Sequence, residues 1–260
     1  MVYTPYDWAQ MLRQKADYVE DRLRLGSPVI GVSCGFGVLI ATVRGSQRKI
    51  YEVYDRLAFA AIGQQADIEA IRMLAVDFAH VEGFQRSPED VSIQRVVGFS
   101  VSPNVRRAFS DPFRTPFVVR GLFAQVGESI GEDTFIVLNY DGEFVQREQV
   151  AAIAGVVEVE AEMERFVKEH LKLGDATLDE ALQVALMAWA LGKVKADSGA
   201  PSGDEAGCKP TSETLIDALK RSLRDGKVEA ALLERHSVSE RRFKMLTDER
   251  VEMVLSSLSA

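Results

Sequence analysis

The 260-residue sequence is poor in the residues that build metal centres and covalent frameworks. Its two cysteines, Cys34 and Cys208, stand far apart and in no Cys-x-x-Cys pair, which excludes a disulfide scaffold. The three histidines, His80, His170 and His236, share no metal-ligand spacing. No apolar run approaches the roughly 20 residues that cross a bilayer. Residues 1–13 lack the basic start and apolar stretch of a secretory signal. Positive charge is the minority: 31 Lys and Arg against 39 Asp and Glu leave a formal charge of −8, so the basic footprint of a nucleic-acid binder is missing. The expectations are therefore no metal, no cofactor, no nucleic acid, no membrane and a cytoplasmic location. The remainder, 47% hydrophobic and 27% charged, suits a globular chain.

Periodicity supplies the elements. Residues 5–25 read as a helix, with Pro5 in the first turn, Trp8, Leu12, Ala16, Val19 and Leu23 on one face, and Gly26 as its stop. Two strands over 29–43 join through Gly35-Phe36-Gly37, and a second pair, 49–54 and 57–62, turns at Asp55-Arg56. A helix follows over 64–84. Residues 88–109 read as another despite Gly98 and Pro103. Strands are predicted at 117–125 and 134–140, the latter closing on Asp141-Gly142, and helices at 156–172 and 177–191, with Thr177 and Glu180 as a capping box. Residues 193–214 hold glycine, proline and serine with almost no bulky apolar side chain, and read as a flexible insertion. Strands at 228–233 and 243–246 and a helix at 248–258 close the chain. Runs of strands followed by runs of helices fit an antiparallel sheet pair covered by helices rather than βαβ alternation.

Residues 27–79 carry a more specific pattern. A hairpin of small residues presents Gly35, Gly37, Val38, Leu39 and Ala41; Lys49-Ile50 leads into the turn Tyr54-Asp55-Arg56; a small-residue strand ends at Gly63 directly before a long helix. With the helix that precedes it, this segment resembles the proteasome α/β family, and within it the bacterial, actinobacterial-type α-subunits. The resemblance implies an α+β fold, the four-layer αββα sandwich of the N-terminal-nucleophile hydrolases, here a single domain over 1–260 with an extra N-terminal helix.

The resemblance also assigns roles. In the family's β-subunits an N-terminal threonine attacks the peptide, helped by an aspartate and a lysine. Those positions fall here on Ser27, on or next to Val43, and on Lys49. Val43 supplies no carboxylate, and Ser27 is followed by Pro28 and preceded by 26 residues. No catalytic residue is therefore expected, and Ser27 is a degenerate nucleophile position. Taken as bare sequence, Gly26-Ser27 is a helix stop and a strand start, and Lys49 a solvated lysine beside a strand. By resemblance, Lys49 with Gly26 and Gly63 forms a pocket between adjacent subunits that takes an activator's C-terminal carboxylate. Met1, Val2, Tyr3 and Thr4 form a short gate. The partners implied are other copies of the chain in a ring of seven, β-subunits and a ring-shaped ATPase or other activator. The competing expectation is a self-sufficient hydrolase that matures at Ser27.

Overall fold

The computed structural model describes residues 5–198, 210–237 and 241–258. In chain order, α1 (Pro5–Leu23) is followed by β1 (Val29–Cys34), β2 (Gly37–Arg44), β3 (Ile50–Tyr54), β4 (Leu57–Gly63) and α2 (Gln65–Gln85). A helix then starts as α3 (Ile93–Arg95), widens to a π-helical stretch over Val96–Val101 and continues as α4 (Ser102–Ser110). The wide turn lies just before Pro103, whose ring and missing N–H disturb a regular α-helical ladder. Next come β5 (Val119–Gln125), β6 (Thr134–Leu138), β7 (Phe144–Arg147), β8 (Val150–Ile153), α5 (Glu160–His170), α6 (Leu178–Ser198), α7 (Ser212–Ser222), β9 (Lys227–Glu234), β10 (Phe243–Met245) and α8 (Asp248–Leu258).

The strands form two antiparallel sheets, ordered β10-β9-β2-β1-β8 and β3-β4-β5-β6-β7. Alternation along each strand then builds four layers. Ile30, Val32, Leu39 and Ala41 of the first sheet pack with Met163, Leu186 and Trp189 of α5 and α6, Leu215 of α7 and Val251 of α8. Their neighbours Val29, Val38 and Ile40 face Ala58, Ala60, Ile62, Leu122 and Phe135 of the second sheet. The outer face of that sheet, with Leu57, Phe59 and Phe123, packs on Ile68, Ile71 and Ala75 of α2 and on Val96 and Val105. The order of layers is helix, sheet, sheet, helix, the α+β sandwich that the resemblance implies.

Helix α1 belongs to neither outer layer. Val19 and Leu23 are buried in the cluster between the sheets, so α1 closes one end of the sandwich. Lys15 anchors it across α4, its Nζ donating to the carbonyls of Phe109, Asp111 and Arg114 at 3.1, 2.6 and 2.8 Å. A cation among the last carbonyls of a helix satisfies acceptors that have no intrahelical partner.

The opposite end, beyond the β1–β2 hairpin, is closed by a buried ion pair. The Arg235 guanidinium meets both oxygens of Asp133 at 2.7 and 2.6 Å. Its remaining donors go to the carbonyls of Gly35, Gly127 and Cys34. Asp133 also accepts from Ser33 Oγ and from the Gly127 amide. Beside them Cys34 is wholly buried, and burial, with the nearby Asp133 charge, pushes its thiol up to about 12.

Three features differ from the sequence reading. Strands β7 and β8 lie in a stretch to which no element was assigned; β8, Val-Ala-Ala-Ile, is buried at every position and so shows no alternation. Helix α7 was likewise unassigned, although Thr211 caps it by accepting from the Thr214 amide and Leu215, Ala218 and Leu219 form its buried stripe. The insertion predicted over 193–214 is helical at both margins, because α6 runs to Ser198 and α7 starts at Ser212. Residues 199–209 lie outside the described residues, as does Cys208.

Candidate functional site

Under the C-terminal end of α1 the start of β1, the β2–β3 connection and the end of β4 converge. Gly26 closes the helix, its amide donating to the Leu23 carbonyl at 2.7 Å. A Cβ at Gly26 would stand 2.8 Å from that carbonyl and 3.3 Å from Cβ of Ile62, so the chain passes β4 with no room for a side chain. Gly63, exposed at the end of β4, has φ +135°, and a Cβ there would lie 2.0 Å from the Val118 carbonyl. Both glycines thus have internal reasons to be glycine, and both leave bare backbone at the same end of the sandwich. Lys49 reaches the same spot: its Nζ donates to the Ser27 carbonyl at 2.9 Å, and its own carbonyl accepts from the Ala61 amide at 3.2 Å. The structure therefore brings Gly26, Ser27, Lys49 and Gly63 together. Met1, Val2, Tyr3 and Thr4 lie outside the described residues.

Ser27 is held by its hydroxyl. Oγ donates to the Val43 carbonyl at 2.5 Å and accepts from the indole Nε1 of buried Trp189 at 3.1 Å. Val43 itself is buried and apolar. The Lys49 ammonium meets the carbonyl of Ser27 rather than its Oγ. Nucleophilic catalysis needs a base poised to take the hydroxyl proton. Here the proton is committed to a peptide carbonyl, which is no base.

Lys49 is half-buried, and desolvation is the largest influence on its ammonium, lowering its pKa to about 8; Lys193 adds to the lowering, while Glu229 opposes it. Among the described residues the ammonium makes a single hydrogen bond, so two of its three donors remain for a ligand. A small oxyanion, above all a terminal carboxylate, is the complement of such a group.

Beneath Lys49 lies Glu229 of β9, its side chain almost wholly buried. It accepts from the amides of Lys49 and Ile50 at 2.9 and 3.3 Å and faces Nε of Arg44 and Arg48 at 3.5 and 3.7 Å. The sequence reading missed both Glu229 and Trp189. A lone acid inside the apolar strand Lys-Val-Glu-Ala-Ala-Leu-Leu-Glu was a usable signal, since carboxylates are rarely buried without partners. Trp189 offered none, being one apolar residue on a helix that is apolar almost all round.

Residues 23–197 match the family described as proteasome subunit. The chain belongs to this family. Over 229 residues it is 30% identical to the proteasome subunit alpha of Actinosynnema mirum, covering 86% of this chain and 85% of that protein. It is 28% identical to the proteasome subunit alpha of Frankia casuarinae over 98% of both chains, and 27% identical to that of Thermobifida fusca over 95% of this chain and 87% of its relative. The family match opens at Leu23, where α1 meets the site, and closes inside α6. Glu229 lies beyond it, within the span shared with the longer-matching relative.

Proposed function

We propose that this chain is a non-catalytic α-subunit of a proteasome core particle. Copies of it form an outer ring, seven as the resemblance implies, which stacks on a ring of catalytic β-subunits. The N-terminal residues Met1 to Thr4 narrow the axial entrance, and an ATPase ring or other activator docks on the outer face. The state of Ser27 carries this reading. Its hydroxyl is tied to Val43 and Trp189, and no carboxylate stands at position 43 to relay a proton. The α-subunit names of the relatives agree with it.

Assembly is supported by the outer half of α1. Tyr6 and Trp8 are exposed and Met11 and Leu12 half-buried, whereas Val19 and Leu23 are buried, so the apolar stripe runs on past the body of this one chain. A stripe of this kind is covered by a neighbouring subunit. Docking is supported by Lys49, whose partly desolvated ammonium bonds the Ser27 carbonyl beside Gly26, at the end of the sandwich where β4 runs out at Gly63. That geometry takes a terminal carboxylate, which the ammonium pairs while the tail lies against bare backbone.

The test is co-expression with a proteasome β-subunit, followed by native mass and a fluorogenic peptidase assay. The expected result is a two-ring-type complex whose peptidase activity is unchanged by Ser27→Ala, with residues 1–26 retained in the intact mass of this chain. Peptidase activity of the chain alone that vanishes in Ser27→Ala would instead establish a self-sufficient hydrolase.

A further inference from the structure

Lys49 shares its carboxylate with other cations. Arg44 on β2 and Arg48 in the β2–β3 connection face the same Glu229, and Lys193 of α6 is near enough to Lys49 to disfavour its charge. Lys193 is paired with Asp197 at 3.0 Å, one helical turn further along. Among the described residues a single carboxylate, Glu229, faces Arg44 and Arg48 and favours the charge of Lys49.

We propose that Glu229 is the positioning residue of the Lys49 pocket: its carboxylate fixes the backbone on which the ammonium is presented and offsets the nearby positive charge of Lys193. The inference rests on the reading of Lys49 as a carboxylate-binding residue. Three observations support it. First, β3 is the edge strand of its sheet, and the two amides at its start, those of Lys49 and Ile50, both donate to Glu229. Second, the contact crosses from one sheet to the other: Glu229 lies opposite Thr42 in the first sheet and bonds the start of β3 in the second. The position of the Lys49 backbone is thereby tied to β9 and not to the short connection alone. Third, Arg44 and Arg48 lie 3.5 and 3.7 Å from Glu229, which keeps both guanidiniums directed toward the carboxylate.

Positioning and charge can be separated by substitution. Glu229→Gln keeps one oxygen able to accept from the Lys49 amide but removes the negative charge. Glu229→Asp keeps the charge but draws the oxygens back by one methylene. Both are made in the full-length chain in its assembled form. Two readouts are taken between about pH 6 and pH 9, which brackets the titration of a partly desolvated lysine. One is binding to an immobilised mixed-sequence peptide library with free C-terminal carboxylates, against the same library as C-terminal amides. The other is the pH–rate profile of Lys49 acetylation by a limiting amine-acylating reagent, read by peptide mass spectrometry, which needs no bound peptide.

In Glu229→Gln the acetylation midpoint of Lys49 is expected to move down by about one pH unit or more. Preference for the free carboxylate is then expected to fall roughly tenfold near pH 8, with partial recovery at pH values of about 6. In Glu229→Asp the midpoint is expected to stay near that of the wild type while carboxylate binding weakens across the whole range. If Glu229→Gln does not assemble, Glu229→Asp alone decides, and wild-type binding in it overturns the inference. So does an unmoved midpoint in Glu229→Gln. Lys49→Ala separates this failure from that of the underlying reading. Loss of carboxylate preference in Lys49→Ala with wild-type behaviour of both Glu229 variants sinks the role of Glu229 alone, whereas unchanged preference in Lys49→Ala sinks both.

Discussion

Two carboxylates close the two ends of the same strand pair, and their surroundings differ in balance. At the hairpin end Asp133 meets one guanidinium, and every donor of Arg235 has an acceptor. At the other end Glu229 serves two amides and stands beside two guanidiniums, while the ammonium above it has donors to spare. The first arrangement is saturated and has nothing left to offer a ligand. The second holds excess positive charge at the edge of solvent, in a chain whose net charge is −8. A buried charge whose partners are all internal serves the fold; one whose partners run short is available for binding.

Breaking the saturated end should have the largest effect. Asp133→Ala leaves the Arg235 guanidinium buried and unpaired, so the expected loss is about 3–5 kcal/mol of stability, measured by denaturant unfolding. Whatever protein folds should bind carboxylate tails as the wild type does. The reverse holds for Lys49→Ala. On the proposed reading, removing the ammonium would leave a docked carboxylate without its partner, at an expected cost of about 2–5 kcal/mol or roughly thirtyfold or more in activator binding. Ring assembly and the basal peptidase activity of the β-ring should survive. Equal loss of both activities would give Lys49 a folding role.

The sign of the pH response sharpens the contrast further. Lys49 titrates near 8 in the folded chain and near 10.5 in the unfolded one, so between those values the unfolded chain binds more protons. Its contribution to stability therefore rises with pH across that window, and the difference between wild type and Lys49→Met in unfolding experiments should show it. The proposed carboxylate docking should run the other way, falling once pH passes about 8, because it would need the ammonium. The smallest effect is expected from Ser27→Ala. The hydroxyl makes two neutral hydrogen bonds, worth about 1 kcal/mol each, and thermal unfolding should register a loss of that order with peptidase activity untouched.

The hairpins, the long helices and their order were legible because β1 to β4 are bounded by turn residues and α2 and α6 show helical spacing. Legibility failed where a strand is buried on both faces, as in β8, since alternation then vanishes. It failed again at α7, where a polar, glycine-rich approach obscured a capped helix of ordinary period. At the site, Lys49, Gly26 and Gly63 could be named only through the family resemblance, since taken alone they read as a solvated lysine, a helix stop and a strand end. Their meeting could not, because it depends on β4 lying across the start of β1 in a separate sheet. Glu229 stands 180 residues from Lys49 in the chain, and only the pairing of β9 with β2 puts them in contact.

The saturated end has a practical consequence through Cys34. Its thiol is wholly enclosed and titrates near 12, so at neutral pH it is neither reachable nor ionised while the sandwich is shut. Its side chain lies in the cluster between the first sheet and the helices, with Leu171, Leu182 and Leu186, so alkylation must wait for that helical layer to lift from the strands. With Cys208 replaced by serine, the labelling rate of the remaining thiol becomes a clock for that opening, timing this end of the protein.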